Sequence, residues 1–187
     1  MNPKVSVYVG ASLDGYIARE NGDIDWLNDA NALVPAGEDC GYHEFMSSVD
    51  VLVMGRTTFE QVLTFGEWPY ASKPVVVLSS NPIAIPDELP GAVTHSSEAP
   101  VELCSRLSAD GAKHLYIDGG ITIQRFLASG LVNEITVTVI PIILGAGKPL
   151  FGPLAADVEL KHVDTKVYDF GFVQSKYAVK GPSRQAN

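Results

Sequence analysis

Apolar residues recur along this chain in short runs of two kinds. Runs rich in Val, Ile and Thr predict strands over 4–11, 50–54 (DVLVM), 74–79 (PVVVLS), 92–95, 114–117 (HLYI), 132–140 (VNEITVTVI), 158–165 and 171–179. Segments with apolar positions three and four apart predict helices near 39–48, 57–65, 98–109 and 121–129. Over 98–109, Val101, Leu103, Cys104 and Leu107 keep helical spacing, and Pro100 falls in the first turn, where its missing N–H is harmless. VLVM and VVVL are apolar at every position, as expected where helices cover both faces of a parallel sheet. The last two strands follow one another with no helix between them, which predicts an antiparallel end. The fold class is therefore α/β, a three-layer α/β/α domain whose mixed, mostly parallel central sheet ends antiparallel at its C-terminal side.

Composition narrows the partners more than the fold. A chain of 187 residues, 46% hydrophobic and 19% charged, suits one globular domain, expected over 1–180 with a disordered tail over 181–187 (GPSRQAN). The net charge of −9 disfavours nucleic acid and anionic membrane as main partners. It still permits an anionic cofactor, because a local set of backbone N–H groups and one arginine overrides a distant charge. Cys40 and Cys104 read as free thiols of a reducing compartment. The opening apolar stretch alternates and is cut by Ser12, Asp14 and Gly15, so it reads as a strand and not as a signal peptide. No apolar run approaches the ~20 residues of a membrane span, and the expected location is the cytoplasm. His43, His95, His114 and His162 lack ligand spacing, and no HxE precedes a PCxxC, so neither a metal site nor zinc deamination is expected.

Four junctions carry candidate chemistry. In VMGRTTFE (53–60) a strand ends before Gly55 and a helix follows; its first N–H groups and Arg56 can hold a phosphate, or Thr57 or Thr58 can simply cap the turn. Ser79 and Ser80, after a buried strand, can receive a ribose phosphate or serve as turn residues before Asn81-Pro82. Gly119-Gly120 opens a helix through Ile123, Phe126 and Leu127, where paired glycines let a diphosphate approach the backbone. This is not GxGxxG, and no acid follows about 20 positions on, so an ordinary Rossmann domain is disfavoured. The polar stretch from Val9 to Leu27 is either a lid over a ligand or a long hairpin anchored by Trp26.

In this order, SLDGYIA, MGRTTFE, VLSSNP, DGG and IPIILGAGKPLF (140–151) resemble the dihydrofolate-reductase-like superfamily, and most of all its RibD-type reductase domain of riboflavin biosynthesis. The resemblance spans residues 5–180. It implies a dihydrofolate-reductase-like fold and an NADPH-dependent oxidoreductase. Gly55, Arg56, Thr57 and Thr58 would hold the cofactor's phosphates, and Ser79 and Ser80 its 2′-phosphate. Gly119 and Gly120, a pair often joined by a cis peptide in the family, would face the diphosphate with Ile121, Thr122 and Ile123. A Cβ on Gly120 would then enter the diphosphate's space. Ala11 and Ile17 fall near the nicotinamide, and Trp26 matches the tryptophan closing the active-site loop.

The same resemblance places an acid on the first helix. Counting back from Gly55 reaches Asp39, with NALVPAGE (31–38) as an insertion before it, and Tyr42, His43 and Glu44 compete for the role. Thr138 matches a threonine used beside that acid. The expected reaction moves a hydride from NADPH to a C=N or C=O of a small heterocyclic or sugar-like substrate lying near Trp26 and Tyr42. Its proton would come from Asp39, Glu44 or a water ordered by Thr138. Dihydrofolate is an alternative substrate, and a catalytically silent nucleotide-binding module an alternative function. The family's dimers predict a homodimer through late strands, with VTVIPIILG (137–145) as an apolar edge.

Overall fold

The computed structural model describes residues 2–89 and 92–180; the expected tail at 181–187 lies outside them. The strands are β1 (Lys4–Ser12), β2 (Tyr16–Ala18), β3 (Val51–Gly55), β4 (Val75–Leu78), β5 (Val93–Ser96), β6 (His114–Asp118), β7 (Glu134–Ile140), β8 (Lys148–Pro149), β9 (Leu160–Val167) and β10 (Val173–Val179). The helices are α1 (Asp25–Asn31), α2 (Tyr42–Ser48), α3 (Arg56–Leu63), α4 (Pro100–Ala109) and α5 (Gly120–Ala128). Eight strands form one sheet in the order β5-β4-β3-β6-β1-β7-β10-β9, and β2 pairs with β8 in a small ribbon. Every pairing from β5 through β7 is parallel; β10 runs antiparallel to both β7 and β9.

The double-sided apolar strands fill two cores. From β3 and β6, Val51, Val53, Leu115 and Ile117 face α4 and α5, where Leu103, Cys104, Ile123 and Phe126 meet them. The alternate residues Leu52, Met54 and Tyr116 face the other way, onto Phe59 and Val62 of α3 with Tyr42 and Phe45 of α2 beside them. This sandwich of helices on both faces is why β3 is apolar from Val51 to Met54 and β6 is buried from Leu115 to Ile117.

Three expectations are corrected. The stretch 137–145 is not an edge: β7 lies between β1 and β10, and the sheet's edges are β5 and β9, the latter exposed along its whole length. The polar opening loop contains α1, whose Trp26 is buried with Ile140, Tyr168 and Phe172 in a third small cluster. The helix expected from residue 39 starts at Tyr42, because the Asp39 carboxylate accepts the N–H groups of Gly41 and His43, both at 2.8 Å, and stands ahead of the helix as its cap.

Candidate functional site

Strands β3 and β6 are parallel neighbours, with Met54 opposite Asp118, so the helices that follow them start side by side at the carboxyl edge of the sheet. The residue ahead of α3 is Gly55 and the residue ahead of α5 is Gly119; neither helix has a side-chain cap. Thr57 and Thr58 therefore do not cap α3, and the first-turn N–H groups of both helices have no side-chain partner. The contact between the two starts is tight. A Cβ on Gly55 would come within 2.8 Å of Thr122 Oγ1, and one on Gly119 would collide with Thr58 Oγ1 and lie 3.9 Å from the Gly55 nitrogen. Two converging helix N-termini joined by glycines make a cradle for a diphosphate.

Around this cradle the expected cofactor residues fall in place to different degrees. Arg56 is exposed, its Nε 2.6 Å from Glu60 Oε1 one turn along. Ile121 is exposed, whereas Thr122 is buried and Ile123 lies wholly in the core, so Ile123 shapes the site only through packing. Ser79 leaves β4 half-buried; its oxygen accepts the Asn81 N–H at 3.2 Å, and its carbonyl lies 2.8 Å from Nε2 of the exposed His95. Ser80 is exposed. Ala11 is buried in β1. Ile17, on β2, lies against α5: a Cβ on Gly120 would meet Ile17 Cδ1 at 3.0 Å and the Pro149 carbonyl at 3.1 Å. Gly120 is thus crowded by the β2–β8 ribbon, which corrects the expectation that its Cβ would enter the diphosphate space. The bond between the two glycines is trans, not cis.

Beside the cradle, a cavity of about 450 Å³ opens between the ends of β1 and β7, α1 and the start of α2. Tyr8, Asn31, Glu38, Asp39, Tyr42 and Thr138 are among its polar residues, and Leu27, Val34, Ile140 and Phe172 supply much of its apolar wall. Trp26 does not line it; the neighbouring Leu27 does. Glu44 is not brought to this cavity. It lines a second one of about 330 Å³ with Lys4, His114, Glu134, Lys166, Gln174 and Lys176. Residues two apart on a helix face different sides, so Tyr42 and Glu44 cannot serve one pocket. Tyr8 and Cys40 border both cavities.

Two carboxyl groups differ in kind. The N–H groups of His43 and Gly41 hold the Asp39 carboxyl below the usual range, so it is ionised at neutral pH and carries no proton to donate. Asp118, at the end of β6, is pushed up to about 6 by burial, against the lowering effect of the Gly119 N–H that its Oδ1 accepts at 2.8 Å. Its charge is felt by Tyr42, Tyr70 and Tyr116. The sequence reading passed over Asp118 as part of DGG; the available signal was an acid ending an apolar strand. Among the described residues there is no cluster suited to a metal ion and no helix long and apolar enough to cross a membrane.

The family model of the RibD C-terminal domain matches residues 3–173. The uncharacterised protein YwjB of Bacillus subtilis (strain 168) is 34% identical over 171 residues, covering 90% of this chain and 94% of that protein. A crystal structure of a Shewanella sp. PV-4 protein, provisionally assigned to riboflavin biosynthesis, superposes with a TM-score of 0.87 at 40% identity, over 96% of this chain and 99% of the other. Dihydrofolate reductase from Enterococcus faecalis, solved with NADP(H), shares the fold at a TM-score of 0.60 and 19% identity, over 94% and 96% of the two chains.

Proposed function

The chain belongs to the RibD C-terminal domain family of reductases, and on that premise we propose that it is an NADPH-dependent reductase of a small heterocyclic or sugar-like substrate. The observation that carries this is the pair of uncapped helix starts, α3 and α5, meeting at Gly55 and Gly119 beside a 450 Å³ cavity. The residues fit a dinucleotide. The first-turn N–H groups of both helices would take the diphosphate, and Arg56, Ser79 and Ser80 the 2′-phosphate. When bound, NADPH supplies the hydride.

The remaining work belongs to this chain. Leu27, Val34 and Phe172 exclude water from the cavity, which strengthens every polar contact inside it. Thr138 and Tyr42 orient the acceptor, a C=N or C=O group. Asp39, ionised, can hold a water but not donate to the substrate. Asp118, raised to about 6 by burial, is not among the residues lining the cavity, so the proton would come from a water held by Asp39 or Thr138. A cytoplasmic homodimer completes the proposal. The Asp39 cap also favours a second reading, a nucleotide-binding module without turnover.

Calorimetry with NADPH and NADH tests the cofactor. Each charge-assisted bond to the 2′-phosphate is worth ~1.5–3 kcal/mol, so NADPH should bind at least about tenfold tighter, and Arg56→Ala should remove most of that margin. The Arg56–Glu60 pair is a surface one, so the variant should stay folded. Equal affinities would end the NADPH assignment. NADPH binding with no oxidation of the cofactor across a panel of pterins, pyrimidinones and ketones would favour the silent module.

A further inference from the structure

Gln174 on β10 reaches across the sheet to the wall between the two cavities. Its side-chain nitrogen lies 2.9 Å from Tyr8 Oη, 2.9 Å from Thr138 Oγ1 and 3.0 Å from the Cys40 carbonyl oxygen. A carbonyl oxygen only accepts, so the NH2 end of the amide, and not its oxygen, must face this cluster. The Tyr8 hydroxyl gives its own hydrogen to the same Cys40 carbonyl. Tyr8 Oη therefore meets Gln174 as an acceptor. The two amide hydrogens then serve Tyr8 Oη and Thr138 Oγ1.

This fixes the polarity of Thr138. A threonine hydroxyl has one hydrogen and two lone pairs. Gln174 occupies a lone pair, no other side-chain hydrogen bond reaches Thr138 among the described residues, and the residue lines the 450 Å³ cavity. Its hydrogen is left for the cavity's contents. Of the two acids on the same cavity, Asp39 already receives a backbone N–H on each oxygen, and Glu38 accepts the Cys40 N–H and pairs with Lys166.

We infer that Gln174 is a positioning residue that sets Thr138 as a hydrogen-bond donor, and that the cavity takes a ring presenting a carbonyl oxygen at that edge in preference to one presenting an amino group. This rests on the cavity being the substrate site of the proposed reductase. A donor built to meet an acceptor discriminates strongly, because an amino group in its place leaves donor facing donor.

The test is calorimetry on the full chain without cofactor, using pterin and 2,4-diaminopteridine, which at one ring edge present a carbonyl oxygen beside a protonated nitrogen and an amino group beside an unprotonated nitrogen. Pterin should bind at least tenfold tighter. Thr138→Ser should keep the preference, and Thr138→Val should abolish it. Gln174→Met leaves the Thr138 hydroxyl free to turn and accept, so the ratio should collapse several-fold even though Gln174 itself lines the other cavity. A general loss of structure would weaken both rings alike and leave the ratio intact. If Gln174→Met does not fold, the Thr138 pair decides alone. Equal affinities in the wild type, an unchanged ratio in Thr138→Val, or no binding of either ring at its solubility limit overturns the inference. Failure of NADPH to bind, measured separately, would sink the reductase reading while leaving this ratio standing.

Discussion

Asp14 accepts the N–H groups of Gly145 at 2.7 Å and Leu144 at 3.1 Å, joining the turn after β1 to a loop 130 residues further along the chain. Ser12 Oγ donates to the same carboxylate at 2.6 Å and accepts the Tyr16 N–H at 2.9 Å. Beyond this clamp, Leu150 N donates to the Gly15 carbonyl, and β2 pairs with β8. SLDGYIA and GAGKPLF are thus two sides of one structure, the ribbon whose Ile17 and Pro149 crowd Gly120 at the start of α5.

Removing the clamp should loosen that ribbon without dissolving the sheet. The hydrogen bond from Ser12, with the N–H groups of Gly145 and Leu144, lowers the Asp14 pKa below its ordinary 3.8. A carboxyl lowered in the folded state stabilises above its unfolded pKa and loses that effect as pH falls through the folded value. Asp14→Ala should therefore melt at a lower temperature than wild type at pH 7, with the gap closing as the pH is taken below 3.8. Equal gaps at both pH values would show that the carboxylate charge is not what holds the loop.

Gly119 and Gly120 should differ sharply on substitution. Gly119 has φ +87°, and a Cβ there collides with Thr58 Oγ1. Alanine in such a conformation costs on the order of 1–3 kcal/mol before the collision is counted. Gly120 lacks the positive φ, and its new Cβ would press on the mobile end of Ile17 as well as the Pro149 carbonyl. Urea melts should rank Gly119→Ala well below Gly120→Ala in stability. The reverse order would mean that the ribbon, and not the α3–α5 contact, is the less forgiving neighbour.

The sheet was legible in the sequence because burial on both faces leaves no polar position in VLVM or VVVL, and the cradle because its glycines sit at strand ends. What was not legible depended on single side chains or on distant partners. A helix of seven residues such as α1, held by Trp26 alone among its buried residues, carries too little periodicity to separate it from a loop. Asp39 looks helical in sequence yet acts as a cap, since only the backbone shows which N–H groups it accepts. Gln174 reads as an ordinary polar residue of a late strand. Its partners, Tyr8 and Thr138, are 166 and 36 positions away, and no local pattern links them.

Buried His114 should make the protein acid-sensitive. Its Nδ1 lies 3.0 Å from the Ser48 carbonyl, so that nitrogen carries the hydrogen, and Nε2 accepts from Ser6 Oγ at 2.8 Å. Burial lowers its pKa from 6.5, and Lys4 nearby adds to the shift, while the Ser48 carbonyl, Glu134 and Asp50 oppose it. Below 6.5 the unfolded chain binds the proton that the folded one refuses, so stability falls as pH drops through that range. Asp118, raised to about 6, contributes the opposite slope to both proteins, so urea melts from pH 7.5 to 5 should show the wild type losing stability relative to His114→Gln, which cannot titrate. Parallel slopes would assign the acid sensitivity to other groups.

The outer strand should pair two copies of the chain. All eight residues of β9 are exposed, and among them Val163, Val167 and Leu160 are 52%, 72% and 40% accessible. An edge strand with unpaired backbone groups and apolar side chains invites association unless something covers it, and among the described residues nothing lies beyond β9 in the sheet. A second copy supplies the same strand and the same valines, so one interface would bury both edges. Light scattering at micromolar concentration should then give twice the chain mass of 20.0 kDa. Val167→Asp combined with Val163→Asp would place four charges in that interface, two from each copy, and should return the protein to a monomer with its melting temperature little changed when dilute. Wild type running as a monomer would leave β9 without a partner; a dimer insensitive to both substitutions would move the interface to another surface.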